Sequence, residues 1–265
     1  MEPLRPEPLR ARRFKSLRTI VALILREMSS TYGKSPGGYF WAVMEPVAAV
    51  AMLSLAFQLF FRSPSLGTNF PLYFATGYLP FSMSLDISNK VSRSITFSRS
   101  LLAYPAVRYS DALLARMILS LMTHISIGAM VLTGVHLYFG LSSIVDPVAV
   151  IMAVVMATAV GMGIGTFNCY MFNALPMWER VWQIVTRPLL LISGVIFLFD
   201  QMPVMAREIL WYNPLVHVVG MMRRGFYVTY DAPYISVAFV LGFALLLLAF
   251  GMMLLHRHHK DLIYG

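Results

Sequence analysis

Long apolar stretches separated by short polar segments make up most of this 265-residue chain. Three of them, residues 117–145, 147–178 and 232–256, contain no Asp, Glu, Lys or Arg. A helix needs roughly 20 mostly apolar residues to cross a bilayer core about 30 Å thick. In lipid the backbone N–H and C=O groups must also pair within the segment, as they do in a helix. The pattern therefore predicts an all-α integral membrane protein.

The same pattern predicts six transmembrane helices. Their approximate bounds are Tyr39–Phe61, Phe70–Asn89, Leu113–Phe139, Pro147–Phe172, Val181–Phe199 and Pro233–Leu255. The fifth is the least regular, because Arg187 and Pro188 interrupt it a third of the way along. Spans of a β-barrel are excluded, since their strands alternate polar and apolar residues in short segments.

The segment before the last predicted span has a different pattern. Residues 207–230 are apolar, but Pro214, Gly220 and Gly225 break the run and two adjacent arginines lie within it. Irregular backbone at membrane depth is tolerated only where protein or a water-filled cavity covers it. We therefore predict a re-entrant or surface-lying helical pair, buried against the bundle.

Composition agrees with this class of protein. Hydrophobic residues make up 58% of the chain and charged residues 12%, whereas a soluble domain has roughly 25% charged residues. These figures exclude a disordered chain and disfavour a soluble globular enzyme. The single cysteine, Cys169, excludes an internal disulfide framework.

Charge predicts the orientation. The chain has 21 Lys and Arg against 12 Asp and Glu. If the six predicted spans cross the membrane in turn, one membrane side has only four of these basic residues, which are Arg62, Arg207, Arg223 and Arg224. By the positive-inside rule the other side is cytoplasmic, and an even number of spans places both termini there. We interpret the net charge of +9 as orientation, and we expect no nucleic-acid partner.

Helical periodicity marks the N-terminal segment. Its apolar positions fall at i, i+3, i+4, i+7, i+8 and i+11, which is one helical face: Leu17, Ile20, Val21, Ile24, Leu25 and Met28. The uninterrupted run over residues 20–25 is too short to span. An amphipathic helix at the cytoplasmic interface is predicted, and periodicity leaves open whether it is an anchor or a functional gate.

One possible ATP-binding motif lacks a residue that the motif requires. Gly33-Lys34-Ser35 resembles the end of a phosphate-binding loop, but the glycine required five residues before Gly33 is Met28. We therefore expect no ATP binding by that route. We find no catalytic constellation in the sequence.

Two further patterns have structural explanations. Gly161-x-x-x-Gly165 lies inside the fourth predicted span, where it is typical of close helix packing. His256, His258 and His259 could ligate a metal, but among basic residues at the end of the last span they are better interpreted as an interfacial cap.

Ionisable residues at membrane depth are costly and are functional candidates. Glu45 lies in the first predicted span and Asp86 near the end of the second; each is either hydrated at the cytoplasmic boundary or functional. Arg223 and Arg224 lie in the apolar extracytoplasmic segment and need a carboxylate, a carbonyl or a passing anion. The candidates for a structural ion pair with them are Glu208 and Asp231.

Aromatic residues cluster at the ends of the predicted spans. They include Tyr39, Phe40, Trp41, Phe81 and Trp211. An interfacial belt is the usual role. Aromatic faces also pack against apolar ligand surfaces while their polar edges form hydrogen bonds, so a track for sugars is the alternative. Composition does not choose between the two.

Three motifs resemble ABC-2-type polysaccharide-export permeases, most closely the capsule polysaccharide permease group of Gram-negative bacteria. They are Gly33-Lys34-x-x-x-Gly38-Tyr39-Phe40-Trp41-Ala42-Val43-Met44-Glu45-Pro46, Gly77-Tyr78-Leu79-Pro80-Phe81, and Trp211-Tyr212-Asn213-Pro214-Leu215-Val216-His217-Val218-Val219 followed by Arg223. The likeness covers nearly the whole chain in span order and length.

The resemblance implies an inner-membrane channel subunit that forms a homodimer and pairs with a separate cytoplasmic ABC ATPase dimer. ATP and Mg would be bound by that partner, with no cofactor in this chain. The family's coupling helix maps onto Ser92–Pro105, its N-terminal gate helix onto Leu17–Tyr32 and its two half-helices onto Gln201–Tyr230. The chain then divides into a cytoplasmic tail with interface helix, residues 1–36, and a transmembrane domain, residues 37–265.

The resemblance also implies export of a lipid-linked capsular polysaccharide towards periplasmic and outer-membrane components. Arg223 and Arg224, two cations on a side otherwise poor in them, predict that this polymer is anionic. The expected substrate path comprises Tyr39, Phe40, Trp41, Glu45, Phe81, Asp86, Trp211, His217, Arg223 and Arg224. The expected coupling residues are Arg93, Arg99, Tyr104 and Pro105. The expected gate residues are Leu17, Ile20, Ile24 and Met28. No catalytic residue and no metal ligand is expected.

Two alternatives come from other classes of protein. A membrane-embedded glycolipid transferase would need a catalytic base or metal-binding carboxylates, for which the spans offer only Glu45 and Asp86. An ion-coupled carrier often has inverted repeats with broken helices in both halves, and residues 207–230 have no obvious counterpart in the first half.

Overall fold

Helices form every regular element in the part of the chain that the structure describes. This computed structural model describes residues 15–32, 37–102, 104, 107–141 and 144–264. The helices are α1 (Lys15–Tyr32), α2 (Gly38–Gln58), α3 (Phe70–Ser92), α4 (Ser94–Leu102), α5 (Tyr109–Phe139), α6 (Pro147–Ala174), α7 (Pro176–Thr186), α8 (Leu189–Ile192), α9 (Val204–Leu210), α10 (Pro214–Phe226) and α11 (Val237–Tyr264), with a short 3-10 turn (Phe199–Gln201) before α9. The predicted all-α class is confirmed.

Four helices in the described part of the chain are long and apolar enough to cross a membrane, and they lie in α2, α5, α6 and α11. They correspond to the first, third, fourth and sixth predicted spans. The second predicted span forms α3, whose polar residues are more frequent and whose side chains are mostly buried. α3 therefore belongs to the interior of the bundle.

Three helices begin with the same local arrangement. Asn69 before α3, Asp146 before α6 and Asn213 before α10 each accept a hydrogen bond from a backbone N–H in the first turn. A proline follows within that turn in all three. The acceptor satisfies an otherwise unpaired N–H group, and proline at this point removes no helical hydrogen bond. These helix starts are therefore encoded locally.

α6 is the centre of the bundle and packs between α3 and α11. A Cβ added to Gly161 would lie 2.8 Å from the carbonyl oxygen of Ser84, and one added to Gly165 would lie 2.9 Å from that of Ser88. Gly163 makes a similarly close approach to α11. The predicted role of Gly161-x-x-x-Gly165 in close helix packing is confirmed.

The fifth predicted span, Val181–Phe199, is not one helix, which corrects the prediction. α7 ends at Thr186, α8 covers only Leu189–Ile192, and Gly194 then turns the chain with a φ of 77°. Pro188 has no N–H to donate, and its ring clashes with the carbonyl four residues earlier in a continuous helix. Neither α7 nor α8 has a buried side chain.

Contacts between distant segments define two ends of the bundle. At one end Arg93 pairs with Glu179 at 2.7 Å, which joins the turn after α3 to α7. At the other end the N–H of Asp146 donates to the carbonyl of Gly225 at 2.8 Å, which joins α6 to α10. We call the first the basic end, which holds α1 and α4, and the second the cap end, which holds α9 and α10. α3, α5, α6 and α11 run between them.

α1 lies at the basic end and packs against α5. Leu23 and Glu27 are buried against α5, whereas Leu17, Val21 and Leu25 are exposed. The apolar face predicted from periodicity therefore exists, but much of it points away from the rest of the chain. The residue that anchors the helix is Glu27, which lies off that face.

Candidate functional site

A cavity of about 510 Å³ opens between α2, α3 and α5, in the half of the bundle nearer the basic end. Its polar lining residues include Glu45, Ser82, Asp86, Asn89, Lys90, Thr123 and His124, and its aromatic ones are Trp41, Tyr78 and Phe81. Four residues of the predicted substrate path, Trp41, Glu45, Phe81 and Asp86, thus surround one space. Charge, hydrogen-bonding groups and aromatic rings are all available to a ligand there.

Asp86 is the centre of a charge cluster in the cavity wall. Its carboxylate lies 2.8 Å from the ammonium of Lys90, 3.1 Å from Nε2 of His124 and 2.5 Å from the hydroxyl of Ser120, which donates to it. A carboxylate inside an apolar bundle is costly unless it is paired. Asp86 is therefore a partnered residue and not merely a hydrated one. The sequence assigned no role to Ser120 or His124.

The residues at the start of α2 are more open to the surroundings. Phe40 and Trp41 expose 59% and 62% of their surface, and their rings meet edge to face with centroids 5.8 Å apart. Glu45 is exposed one turn further on. Phe81, by contrast, is buried and forms part of the cavity wall. The side chain of Tyr39 lies outside the described part of the chain.

An apolar groove of about 650 Å³ lies beside the cavity, between α1, α2 and α5. Its own lining residues are Ile24, Met28, Phe40, Val43, Leu119, Met122, Ser126 and Met130. Groove and cavity share Ala42, Thr123 and Ile127 as a common wall. Adjoining polar and apolar compartments fit an amphiphile that has a polar head and an alkyl chain.

The predicted gate residues occupy different environments. Ile24 and Met28 line the groove. Ile20 packs against the cluster around Ala112 on α5, and Leu17 is exposed. α1 therefore forms one wall of the groove through its C-terminal half only.

Arg223, at the cap end, is almost wholly buried, with 1% of its surface exposed. Its guanidinium donates to the carbonyl oxygens of Gly194 at 2.6 Å and Val195 at 2.8 Å and lies over the ring of Tyr73. Of the partners that the sequence left open, carbonyl groups are the ones it meets. The expectation that Arg223 faces the substrate path is corrected, because its charge is engaged inside the chain. Arg224 is exposed.

His217 is also buried. Its Nε2 lies 2.7 Å from the carbonyl oxygen of Trp211, and its Nδ1 accepts the N–H of Ser236 at 3.2 Å. These two bonds assign a neutral ring with its proton on Nε2. Burial lowers the pKa of His217, which also favours the neutral form. His217 therefore holds the cap together, and its expected place on the path is corrected.

Trp211 belongs to the same network. Its indole N–H donates to the carbonyl oxygen of Tyr234 at 3.0 Å, and its ring meets that of His217 edge to face. Trp211 is half-buried, so its polar edge is used within the chain.

α4 forms the tip of the basic end and covers the middle of the predicted coupling segment. Arg99 and Tyr104 are exposed, whereas Arg93 pairs with Glu179. Pro105 lies outside the described residues. A short helix with exposed basic and aromatic side chains is a surface on which another protein can dock.

Comparison with known proteins identifies the family. Residues 18–227 match the family described as ABC-2 type transporter. This chain belongs to the ABC-2 type transporter family. Such a chain is a transport subunit and not an enzyme.

Curated relatives of this ABC-2 chain cover almost its full length. The polysialic acid transport protein KpsM of Escherichia coli is 26% identical, over 92% of this chain and 95% of its own. The capsule polysaccharide export inner-membrane protein CtrC of Neisseria meningitidis serogroup B is 28% identical, over 92% of both chains. The protein BexB of Haemophilus influenzae, which has the same description, is 26% identical over 92% of both chains. The resemblance to capsule polysaccharide permeases is confirmed.

Sequence reasoning about this ABC-2 chain missed Arg116, which has 8% of its surface exposed. Its Nε donates to Glu27 at 2.9 Å, its Nη1 donates to the carbonyl oxygen of Lys90 at 2.8 Å, and its guanidinium lies 4.2 Å from the centre of the Phe97 ring. A signal was present, because Arg116 stands at the edge of an uncharged stretch and needs a partner.

Proposed function

We propose that this chain is the channel-forming permease subunit of an ABC transporter that exports capsular polysaccharide across the bacterial inner membrane. It acts as a homodimer with a cytoplasmic ABC ATPase dimer, which binds ATP and Mg. Periplasmic and outer-membrane export components receive the polymer. Membership in the ABC-2 family and the names of the relatives support this function.

The adjoining cavity and groove are the observation that supports the proposed class of substrate. A polysaccharide with a lipid at its leading end has both a polar and an apolar part, and it matches two compartments that share one wall. Sugars and headgroup occupy the cavity beside Trp41 and Glu45, while the alkyl chain occupies the groove. Exposed Arg224 at the cap end favours an anionic polymer.

The basic end faces the cytoplasm in this proposal, by the positive-inside rule. The six crossings are then α2, α3, α5, α6, the interrupted pair α7 and α8, and α11. α9 and α10 are the extracytoplasmic half-helices, and both termini are cytoplasmic. This arrangement requires only that Pro188 interrupts, and does not end, the fifth crossing.

The proposed mechanism is mechanical. ATP closes the partner dimer around α4, and the crossing helices shift as packed bodies that open a path between the two copies. The close glycine contacts of α6 with α3 and α11 favour movement of these three helices as one body.

Site-directed cross-linking tests the function and the orientation together. In a Cys169→Ala background, Arg99→Cys places an exposed thiol on α4, and Val228→Cys places one at the cap end as the matched control. We expect an ATPase to co-purify with the chain and to cross-link to position 99 alone. A cross-link at position 228, or no associated ATPase, would contradict the proposal and favour a transferase or an ion-coupled carrier.

A further inference from the structure

Arg116 stands between the two helices that the proposed mechanism must connect. α4 is the helix that the proposed function assigns to the ATPase, and α1 forms a wall of the apolar groove. The guanidinium of Arg116 lies over the Phe97 ring of α4 at 4.2 Å and bonds to Glu27 of α1 at 2.9 Å. Arg26 of α1 lies over the same ring at 5.8 Å. One aromatic side chain of α4 therefore contacts both α5 and α1.

Arg116 also contacts a residue that lines the polar cavity. Its Nη1 donates to the backbone carbonyl of Lys90 at 2.8 Å, near the end of α3. The side chain of Lys90 pairs with Asp86 in the cavity wall. The residue that contacts α4 and α1 therefore also holds the part of α3 that carries the charge cluster.

We propose that Arg116 and Phe97 are positioning residues that transmit movement of α4 to α1 and to the Lys90 end of α3, and so open the cavity and groove together. This inference rests on the proposed function, because it takes α4 as the helix that the ATPase moves.

The junction can transmit movement because its ion pair is buried and its hydrogen bonds have fixed directions. Arg116 and Glu27 expose 8% and 6% of their surfaces. A planar guanidinium holds its partners in fixed directions, and separating a buried ion pair leaves an uncompensated charge. α1 therefore follows Arg116 and does not slide past it. The apolar contacts of Leu23 with α5 lack this directionality.

Four variants test the junction in the full complex reconstituted with its ATPase. Phe97→Leu removes the ring face at a half-exposed position that tolerates change, and Phe97→Tyr keeps it. Glu27→Gln removes the charge that holds α1, and Arg18→Gln removes a charge from the exposed side of α1 as the control. The measured quantities are polymer exported and ATP hydrolysed in the same vesicles.

We expect Phe97→Leu and Glu27→Gln to lower polymer exported per ATP by about fivefold or more, the lower range of coupling between distant sites. ATP hydrolysis stays close to wild type, and Phe97→Tyr and Arg18→Gln export normally. A loss of fold alone would lower both quantities together, so the ratio isolates transmission. Wild-type export per ATP in Phe97→Leu would overturn the inference.

Movement of α1 is the second measurement. Spin labels on cysteines at Leu25 of α1 and Met122 of α5, both exposed, report their separation in the Cys169→Ala background. We expect ATP binding to change this distance in the wild-type complex and not in Phe97→Leu. An equal change in both would overturn the inference while leaving the proposed function intact. A wild-type chain that binds no ATPase would instead overturn the proposed function.

Discussion

The guanidinium carbon of Arg223 lies 4.1 Å from the centre of the Tyr73 ring. Arg223 belongs to α10 and Tyr73 to α3, and the hydroxyl of Tyr73 donates to the carbonyl oxygen of Ile196 at 3.0 Å. Since Arg223 also donates to Gly194 and Val195, the two side chains together satisfy three carbonyls of the segment that follows α8. They fix that segment where it leaves the bundle.

Replacing Arg223 by Gln should therefore destabilise the cap. The variant leaves buried carbonyl groups without donors, which costs about 1–3 kcal/mol for each unsatisfied group. Thermal unfolding of the purified chain in detergent measures the loss. Arg224→Gln, at the exposed neighbour, should stay within about 0.5 kcal/mol of wild type. Equal stability of the two variants would contradict the role assigned to Arg223.

Alanine at Gly161 and at Gly128 should change stability in opposite directions. A Cβ at Gly161 meets the Ser84 carbonyl at 2.8 Å, whereas nothing lies within 4 Å of one at Gly128 on α5. Overpacking costs about 1–3 kcal/mol, but alanine in an open helical position gains up to about 1 kcal/mol over glycine. Thermal unfolding of both variants checks the signs, and a neutral Gly161→Ala would be inconsistent with the packing of α6 on α3.

Asp86→Asn should weaken both stability and export. The substitution removes the charge that Lys90 and His124 share, and unsatisfied buried partners cost about 1–3 kcal/mol or more. Surface polymer of a complemented deletion strain and the unfolding temperature are the two measurements. Asp231→Asn, exposed at the cap end, is the control. Full export from Asp86→Asn would remove the charge cluster from the proposed path.

Acid should loosen the cap through His217. Burial lowers the pKa of this side chain in the folded chain, from about 6.5 when it is unfolded. Its contribution to stability is therefore complete above about pH 6.5 and declines as pH falls below that value. We expect the unfolding temperature of the wild type to fall more between about pH 7.5 and about pH 5.5 than that of His217→Gln. An identical fall in both proteins would contradict this assignment.

Features that depend on local sequence could be predicted. The cores of α5, α6 and α11 follow from uncharged apolar stretches, whereas the fifth span predicted from the same pattern is broken at Pro188, which lacks the N–H of a continuous helix. The direction of the chain after that break could not be predicted, because it depends on Arg223, which is 28 residues away from the Val195 carbonyl that it holds.

Some residues of the candidate site could likewise be predicted from the sequence and others could not. Asp86 and Glu45 were recognisable as ionisable residues in apolar surroundings. The cross-helix partners were not, because His124 and Ser120, which contact Asp86, belong to α5, and the buried pair of Glu27 and Arg116 joins residues that are 89 positions apart. Periodicity identified the apolar face of α1 but not Glu27, the buried residue off that face that binds Arg116.

Transport in proteoliposomes shows whether this chain is a conduit driven by a separate ATPase. Vesicles containing the chain alone, or the chain with its ATPase, are supplied with labelled lipid-linked capsular polymer and ATP. We expect polymer to reach the lumen only when both proteins and ATP are present. Passage of polymer through vesicles that contain this chain alone would contradict it.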